Sequence, residues 1–473
     1  MRSLLILVAS LLIILFPSGI EAQTTSVPDV RILLHQGIST LELEVTEGSY
    51  VLVDCAYGLT VGRIASGEKW SIRKEGLNYR LVREEQLVDI PVKGPLLLQA
   101  EDASVRNLFR YRNLRYRGDL YIYNEPSGLV AVNVLDLENY LASVMVKEMG
   151  VAAPLEALKA QAVVSRTYAL SNRNPSAYYD LTADTATQVY GGYEAEVVPG
   201  VERIYEAVRA TEGQVIYYDS NLIQAFFHAN GGGHTENSEN IWEKELPYLK
   251  GVSSPYDVYA LEYPKQSPDG WPGDTYHWQQ SFTRQELEKK IQSWNQSHPE
   301  DQIRIGELLK ISTSNEDRRG FPNVTPSGRV SRLDLIGTGG TKSFFRDKIR
   351  LILGLKSTLF QVISDEMVFV TNGEGQVVPL HSVDAVKIVT AGGSVLQPDT
   401  SSTHLVGAGS LTRSVFPRGF EKITFQGWGH GHGVGMSQWG AWGMAEAGYN
   451  YQQIIEHYYN QGKNDGRLTI GPI

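Results

Sequence analysis

A single cysteine, Cys55, stands among 473 residues. No internal disulfide can form from it, and a cysteine-built zinc site is excluded. Cationic excess is lacking too: 43 Lys+Arg face 53 Asp+Glu, for a net charge of −10. A nucleic-acid partner is therefore not expected, because phosphate binding needs a concentrated basic face. Beyond the N-terminal segment no stretch is long and apolar enough to cross a bilayer, and no internal repeat or long low-complexity linker occurs. What is present reads as globular. Hydrophobic residues make up 42% and charged ones 20%, ample for large cores. At ~150 residues per domain the length suggests about three domains, or two with insertions. The 25 Tyr, 8 Trp and 46 Gly suit sheet-rich structure and sugar-binding clefts.

The N-terminus has a positive start at Arg2, an apolar run over Leu4–Phe16, a helix-breaking Pro17-Ser18-Gly19 and a small residue at Ala22. This is the outline of a signal peptide over residues 1–22, which places the mature chain outside the cytoplasm, secreted or in the cell envelope. An uncleaved anchor is the alternative. Residues 23–105 read as an all-β module, with strands over Val30–Leu34, Leu41–Val45, Tyr50–Val53, Tyr79–Val82 and Leu96–Gln99. Cys55 continues the third of these, which predicts a buried, inert thiol. Polar loops are expected at Ser171–Ala177, Pro264–Asp274 and Asn315–Gly328.

The most informative stretch is Asp136–Asn172. Asp136 is a good N-cap, and Leu137, Leu141, Val144 and Met145 follow helical spacing. The next member of that stripe is Glu148, a carboxylate where Leu or Val would fit. Charged residues are almost never buried without a partner or a purpose, and burial raises a carboxyl pKa. A general acid working near neutrality needs that property. A helix end pointing Glu148 into solvent is the plainer reading. Pro154 opens a second helix, on which Lys159 and Arg166 lie two turns apart on one face. They could cradle an anion beside Glu148, or simply form a solvated face.

The run Leu137-Glu-Asn-Tyr-Leu-Ala-Ser-Val-Met-Val-Lys-Glu-Met149, followed by Pro154-Leu-Glu-Ala-Leu-Lys-Ala-Gln-Ala-Val-Val-Ser-Arg-Thr-Tyr168, resembles the SpoIID/LytB family of cell-wall proteins. Further matching motifs follow in family order. They are Asp184–Tyr190, Ala210–Gly213, Phe226–Glu236, Pro247–Leu249, Gly328–Val330, Ile349–Leu355 and Gly431–Ala441. The resemblance covers roughly Leu108 to Tyr459. It implies a secreted protein acting on peptidoglycan glycan strands. Sporulation members are lytic transglycosylases that cut the glycan after amidases strip its stem peptides, and other members enhance a cell-wall amidase. It places the catalytic acid on Glu148 and the cleft cations on Lys159 and Arg166. One carboxylate suffices for this chemistry, because the muramic acid supplies its own C6 hydroxyl as nucleophile, whereas ordinary glycosidases need two. Lys159 and Arg166 are then expected to meet lactyl carboxylates freed by stem-peptide removal.

The resemblance also makes Gln188, Tyr190, His234, Thr235, His432, Ser437 and Gln438 substrate-binding residues. Gln188 and Tyr190 could instead simply end a strand. No cofactor or metal is expected: where some members carry a His-Cys zinc pair, this chain has Ala186-Thr187. His430 and His432 read as imidazoles in a glycine turn bonding to backbone, with a His-x-His metal site as the sharper alternative. Gly231-Gly-Gly233 reads as a loop approaching sugar in preference to a phosphate cradle. Trp439 and Trp442 share a helix face, more often core than sugar platform. The expectation is thus an α+β fold whose helices and sheets form a cleft. It has a small all-β module first, then a catalytic domain over 106–473 with a β-rich insertion at about 303–425.

Overall fold

The computed structural model describes residues 28–102, 104–263, 275–314, 324–365 and 420–473, with short strands between 368 and 415. The segment expected to be a signal peptide, the loop expected at Pro264–Asp274 and most of that expected at Asn315–Gly328 lie outside the described residues.

Strands with strict in–out alternation build the N-terminal part. Leu41, Leu43 and Val45 of Thr40–Glu47 are buried while their neighbours face outward, and Tyr50 and Leu52 of Ser49–Asp54 repeat the pattern. Two sheets result, and their buried faces meet in one core. In the seven-stranded sheet the order is Leu181–Thr182, Asp29–Ile38, Gly128–Asp136, Asp119–Glu125, Leu96–Ala100, Ser49–Asp54, Leu59–Ala65. The six-stranded sheet runs Leu114–Tyr116, Leu108–Tyr111, Thr40–Glu47, Lys69–Glu75, Asn78–Arg83, Gln86–Val88. All five expected strands are present. The expected boundary at 105/106 cuts through this β unit, because Asp29–Ile38 pairs with Gly128–Asp136 and Thr40–Glu47 with Leu108–Tyr111. Cys55 corrects another expectation. The strand stops at Asp54, so the thiol sits in an exposed turn.

Gly128–Asp136 runs straight into the first helix. Among the described residues the α-helices are α1 (Leu137–Glu148), α2 (Leu155–Ser171), α3 (Glu202–Ala210), α4 (Ser238–Trp242), α5 (Arg284–Ser297), α6 (Lys348–Leu353), α7 (Gln438–Glu446) and α8 (Tyr451–Asn460). Asp136 caps α1 by accepting from the N–H groups of Glu138 and Asn139, both at 3.0 Å. Pro154 caps α2 instead of entering it, its φ of −56° and ψ of 145° lying outside the helical region. One continuous hydrophobic core joins the β unit to α1, α2, α3, α7 and α8. Trp439 and Trp442 stack within it at 4.8 Å, both buried, which makes them core residues. A second core gathers residues from Trp278 to Phe425 around strands His277–Thr283, Lys422–Trp428 and Phe360–Ser364, so the β-rich part begins well before residue 303.

Candidate active site

Glu148 is the last residue of α1, where the apolar stripe turns toward the loop Gln188–Tyr190 and the start of α7. Its Oε1 accepts from the Val189 N–H at 2.9 Å, and its Oε2 accepts from the Gln438 side-chain amide at 3.3 Å. Burial pushes the Glu148 carboxyl above the usual carboxylate range, while these two donors pull in the opposite direction and lose. The carboxyl is half-buried, so solvent and a ligand still reach it.

Two buried side chains aim the Val189 N–H. Gln188 is fully buried and accepts from the Tyr140 hydroxyl at 3.2 Å. Tyr190, also buried, donates to Asn133 at 2.9 Å. Both were expected to bind substrate; the structure instead turns their side chains into the core, where they fix the backbone between them. No local pattern announces Val189, since its contribution is a main-chain N–H.

Gln438 is positioned through a longer chain of contacts. Ser437, buried, caps α7 by accepting from the Gly440 N–H at 3.2 Å, and its hydroxyl donates to Asp257. Strand Phe227–His228 pairs in parallel with Met436–Ser437. Asp257 is fully buried and also accepts from the Gly233 N–H at 2.9 Å, so one carboxylate ties the glycine run to the α7 start. Ser437, expected to meet substrate, is instead buried with its hydroxyl engaged by Asp257 and the Gly440 N–H. Replacing Ser437 by Ala should cost about 0.5–2 kcal/mol through the lost cap. It should also lower turnover more than a remote mutation of equal cost, because Gln438 loses its anchor. Chemical unfolding beside a kinetic assay checks both.

The glycine turns are closed by close packing. Gly433 has φ +84°, and a Cβ there would lie 2.4 Å from Cζ of Arg329. Arg329 is fully buried and donates to the Gly231 carbonyl at 2.9 Å. The motif Gly328–Val330 was the signal for it, whereas nothing local marked Asp257. His432 Nδ1 accepts from the Val434 N–H at 3.1 Å, and burial pulls its pKa down to about 4, so the ring is neutral at pH 7. His430 exchanges backbone hydrogen bonds with Asn230, at 3.1 and 2.8 Å. His234 is half-buried with Nδ1 2.6 Å from the Thr235 carbonyl. Thr235 is buried and accepts from the Val252 N–H at 2.8 Å, out of a ligand's reach. Among the described residues no three His, Cys, Asp or Glu side chains come together as a metal site.

The expected anion cradle of Lys159 and Arg166 is not formed. Arg166 has no exposed surface; it makes a two-bond pair with Glu138 at 2.7 and 2.6 Å and donates to the Gln214 carbonyl at 3.0 Å. Glu138 precedes Glu148 by ten residues on α1, about 15 Å along the axis. Lys159 turns to Glu156 at 2.7 Å, whose other oxygen accepts from the Tyr451 N–H at the start of α8. Sharing a helix face therefore gave these two cations different neighbours. Among the described residues no helix is long and apolar enough to cross a membrane.

Residues 125–218 match the family model described as SpoIID, Stage II sporulation protein, a segment that includes Glu148, Lys159, Arg166, Gln188 and Tyr190. The amidase enhancer of Bacillus subtilis (strain 168) is 29% identical over 325 residues, 67% of this chain. The match spans only 39% of that longer protein. Stage II sporulation protein D of Bacillus amyloliquefaciens is 28% identical over 342 residues, 70% of this chain and 74% of its own length. That of Bacillus subtilis (strain 168) is 26% identical over 343 residues, with the same two shares. Together with the motif order in the sequence, these matches support the SpoIID/LytB family for this chain.

Proposed function

We propose that the protein is a secreted lytic transglycosylase that cuts peptide-stripped peptidoglycan between N-acetylmuramic acid and N-acetylglucosamine. The observation that supports this reading is Glu148: a half-buried carboxyl with a raised pKa, held through both oxygens at the end of α1. Protonated Glu148 gives its proton to the glycosidic oxygen as the C1–O bond breaks. As carboxylate it then takes the proton of the muramic C6 hydroxyl while that oxygen bonds to C1, closing a 1,6-anhydro ring. The glutamic acid is regenerated and no water is consumed. The lytic reaction needs this one carboxyl alone, whereas ordinary hydrolysis needs a pair. Selection of stripped glycan does not rest on Arg166, whose guanidinium no ligand reaches.

A second reading is favoured by one relative's name, amidase enhancer. In it the surface around Glu148 binds glycan and presents it to a cell-wall amidase without cutting. Incubation with peptide-stripped sacculi separates the two. The lytic reading expects solubilisation by this protein alone, and the enhancer reading expects none until an amidase and intact sacculi are supplied. The rate should be full at pH values below the raised Glu148 pKa and fall as pH rises through it, because only the protonated form can act as acid.

A further inference from the structure

A cavity of about 720 Å³ opens at the seam between the two cores, away from the Glu148 carboxyl and its two donors. Its volume falls in the roughly 300–1,000 Å³ range of small-molecule sites. Trp242, at the end of α4, and Phe345 supply aromatic walls, and Trp242 keeps 37% of its surface exposed. Behind the cavity the Trp242 ring packs on Phe226 at 4.4 Å and on His432 at 4.8 Å. Phe226 in turn meets Tyr168 at 5.8 Å, and the Tyr168 phenol is pushed up by burial and, second to that, by the charge of Glu148. A line of rings thus runs from this cavity back toward the acid.

The polar lining carries charges of both signs. Arg346 pairs with Glu243 at 2.7 Å, and Lys342 and Lys348 both pair with Asp301, at 2.6 and 2.7 Å. Asp347, the third lining carboxylate, is held by Arg350 at 2.7 Å. Each lining charge thus has a neighbour of opposite sign, and Lys342 and Lys348 share one carboxylate. Hydroxyl and acetamido groups, which both donate and accept, match neighbouring ammonium and carboxylate groups at once. Backbone strain marks the same spot. Glu243 and Arg346, partners across the seam, both have left-handed φ values, 73° and 57°, unusual for non-glycine residues. Such strain persists where surrounding contacts enforce it, and it concentrates at functional sites.

We infer that this cavity is a subsite for an uncharged N-acetylated aminosugar ring of the strand, stacked on Trp242. The inference rests on the glycan reading given above. The test uses the Glu148→Gln chain, so that binding is read without turnover, and titrates the β-1,4-linked tetramer of N-acetylglucosamine by calorimetry. Adding Trp242→Ala should weaken binding about three- to tenfold, and Trp242→Phe should restore most of it. Raising the salt concentration should change the affinity little, as the tetramer carries no charge. Unchanged affinity in a folded Trp242→Ala chain overturns the subsite, as does binding that collapses with salt or no tetramer binding before Trp242 is changed. None of these outcomes touches the lytic reading, which is judged by cleavage of stripped glycan with the wild-type chain.

Discussion

Glu148→Gln is expected to reduce cleavage of peptide-stripped glycan by about 10²–10⁴-fold or more while leaving the fold intact. Gln keeps the shape and can still accept from the Val189 N–H, but it has no proton to give to the leaving oxygen. The same substitution should stabilise the protein in a pH-dependent way. A carboxyl whose folded pKa lies above its unfolded one favours the fold while it stays protonated, below the unfolded value. That contribution is lost as pH rises through the folded pKa. Wild type and Glu148→Gln should therefore be alike in acid, with the variant the more stable at neutral pH and above. Thermal unfolding across this range, beside a kinetic assay, reads both effects. Higher stability with lost turnover is the signature of a destabilised functional carboxyl. A variant that is less stable at neutral pH and still active would mark Glu148 as a structural helix end.

The second large effect concerns Arg166. Replacing it by Met should cost about 3–5 kcal/mol, because removing one member of a buried pair leaves Glu138 and the Gln214 carbonyl without their donor. Arg166→Lys should recover only part of this, since a point-like ammonium cannot reproduce the two-bond geometry. Changing Glu138 to Gln together with Arg166→Met should recover some stability by removing the stranded charge. Urea unfolding of the four chains measures it. A specificity residue would behave otherwise, altering the preference between stripped and intact glycan at unchanged stability.

How much of this could be read from sequence depends on the range of the interaction. The Asp136 cap, the α1 stripe and the break in it at Glu148 are set within a dozen residues, so spacing rules reached them. The alternating strands were legible for the same reason. Arg166 was misread because the seven-residue spacing to Lys159 fixes a shared face and says nothing of what that face meets. Its partner lies 28 residues back and its carbonyl acceptor 48 ahead. Ser437 and Asp257 are separated by 180 residues, and only the fold brings them together. The domain boundary failed likewise, because the strand ending at Asp136 returns to pair with the one starting at Asp29. Gln188 and Tyr190 were expected to meet substrate, yet their side chains are buried, and it is the main-chain N–H between them that meets Glu148.

Mass spectrometry of the reducing ends left on purified, peptide-free glycan strands after incubation with the protein separates ring closure from hydrolysis. The wild type should form 1,6-anhydromuramic ends, one water lighter than hydrolysis products, without an amidase, and Glu148→Gln should not. Intact strands, or ends that have taken up water, would rule out the lytic reaction.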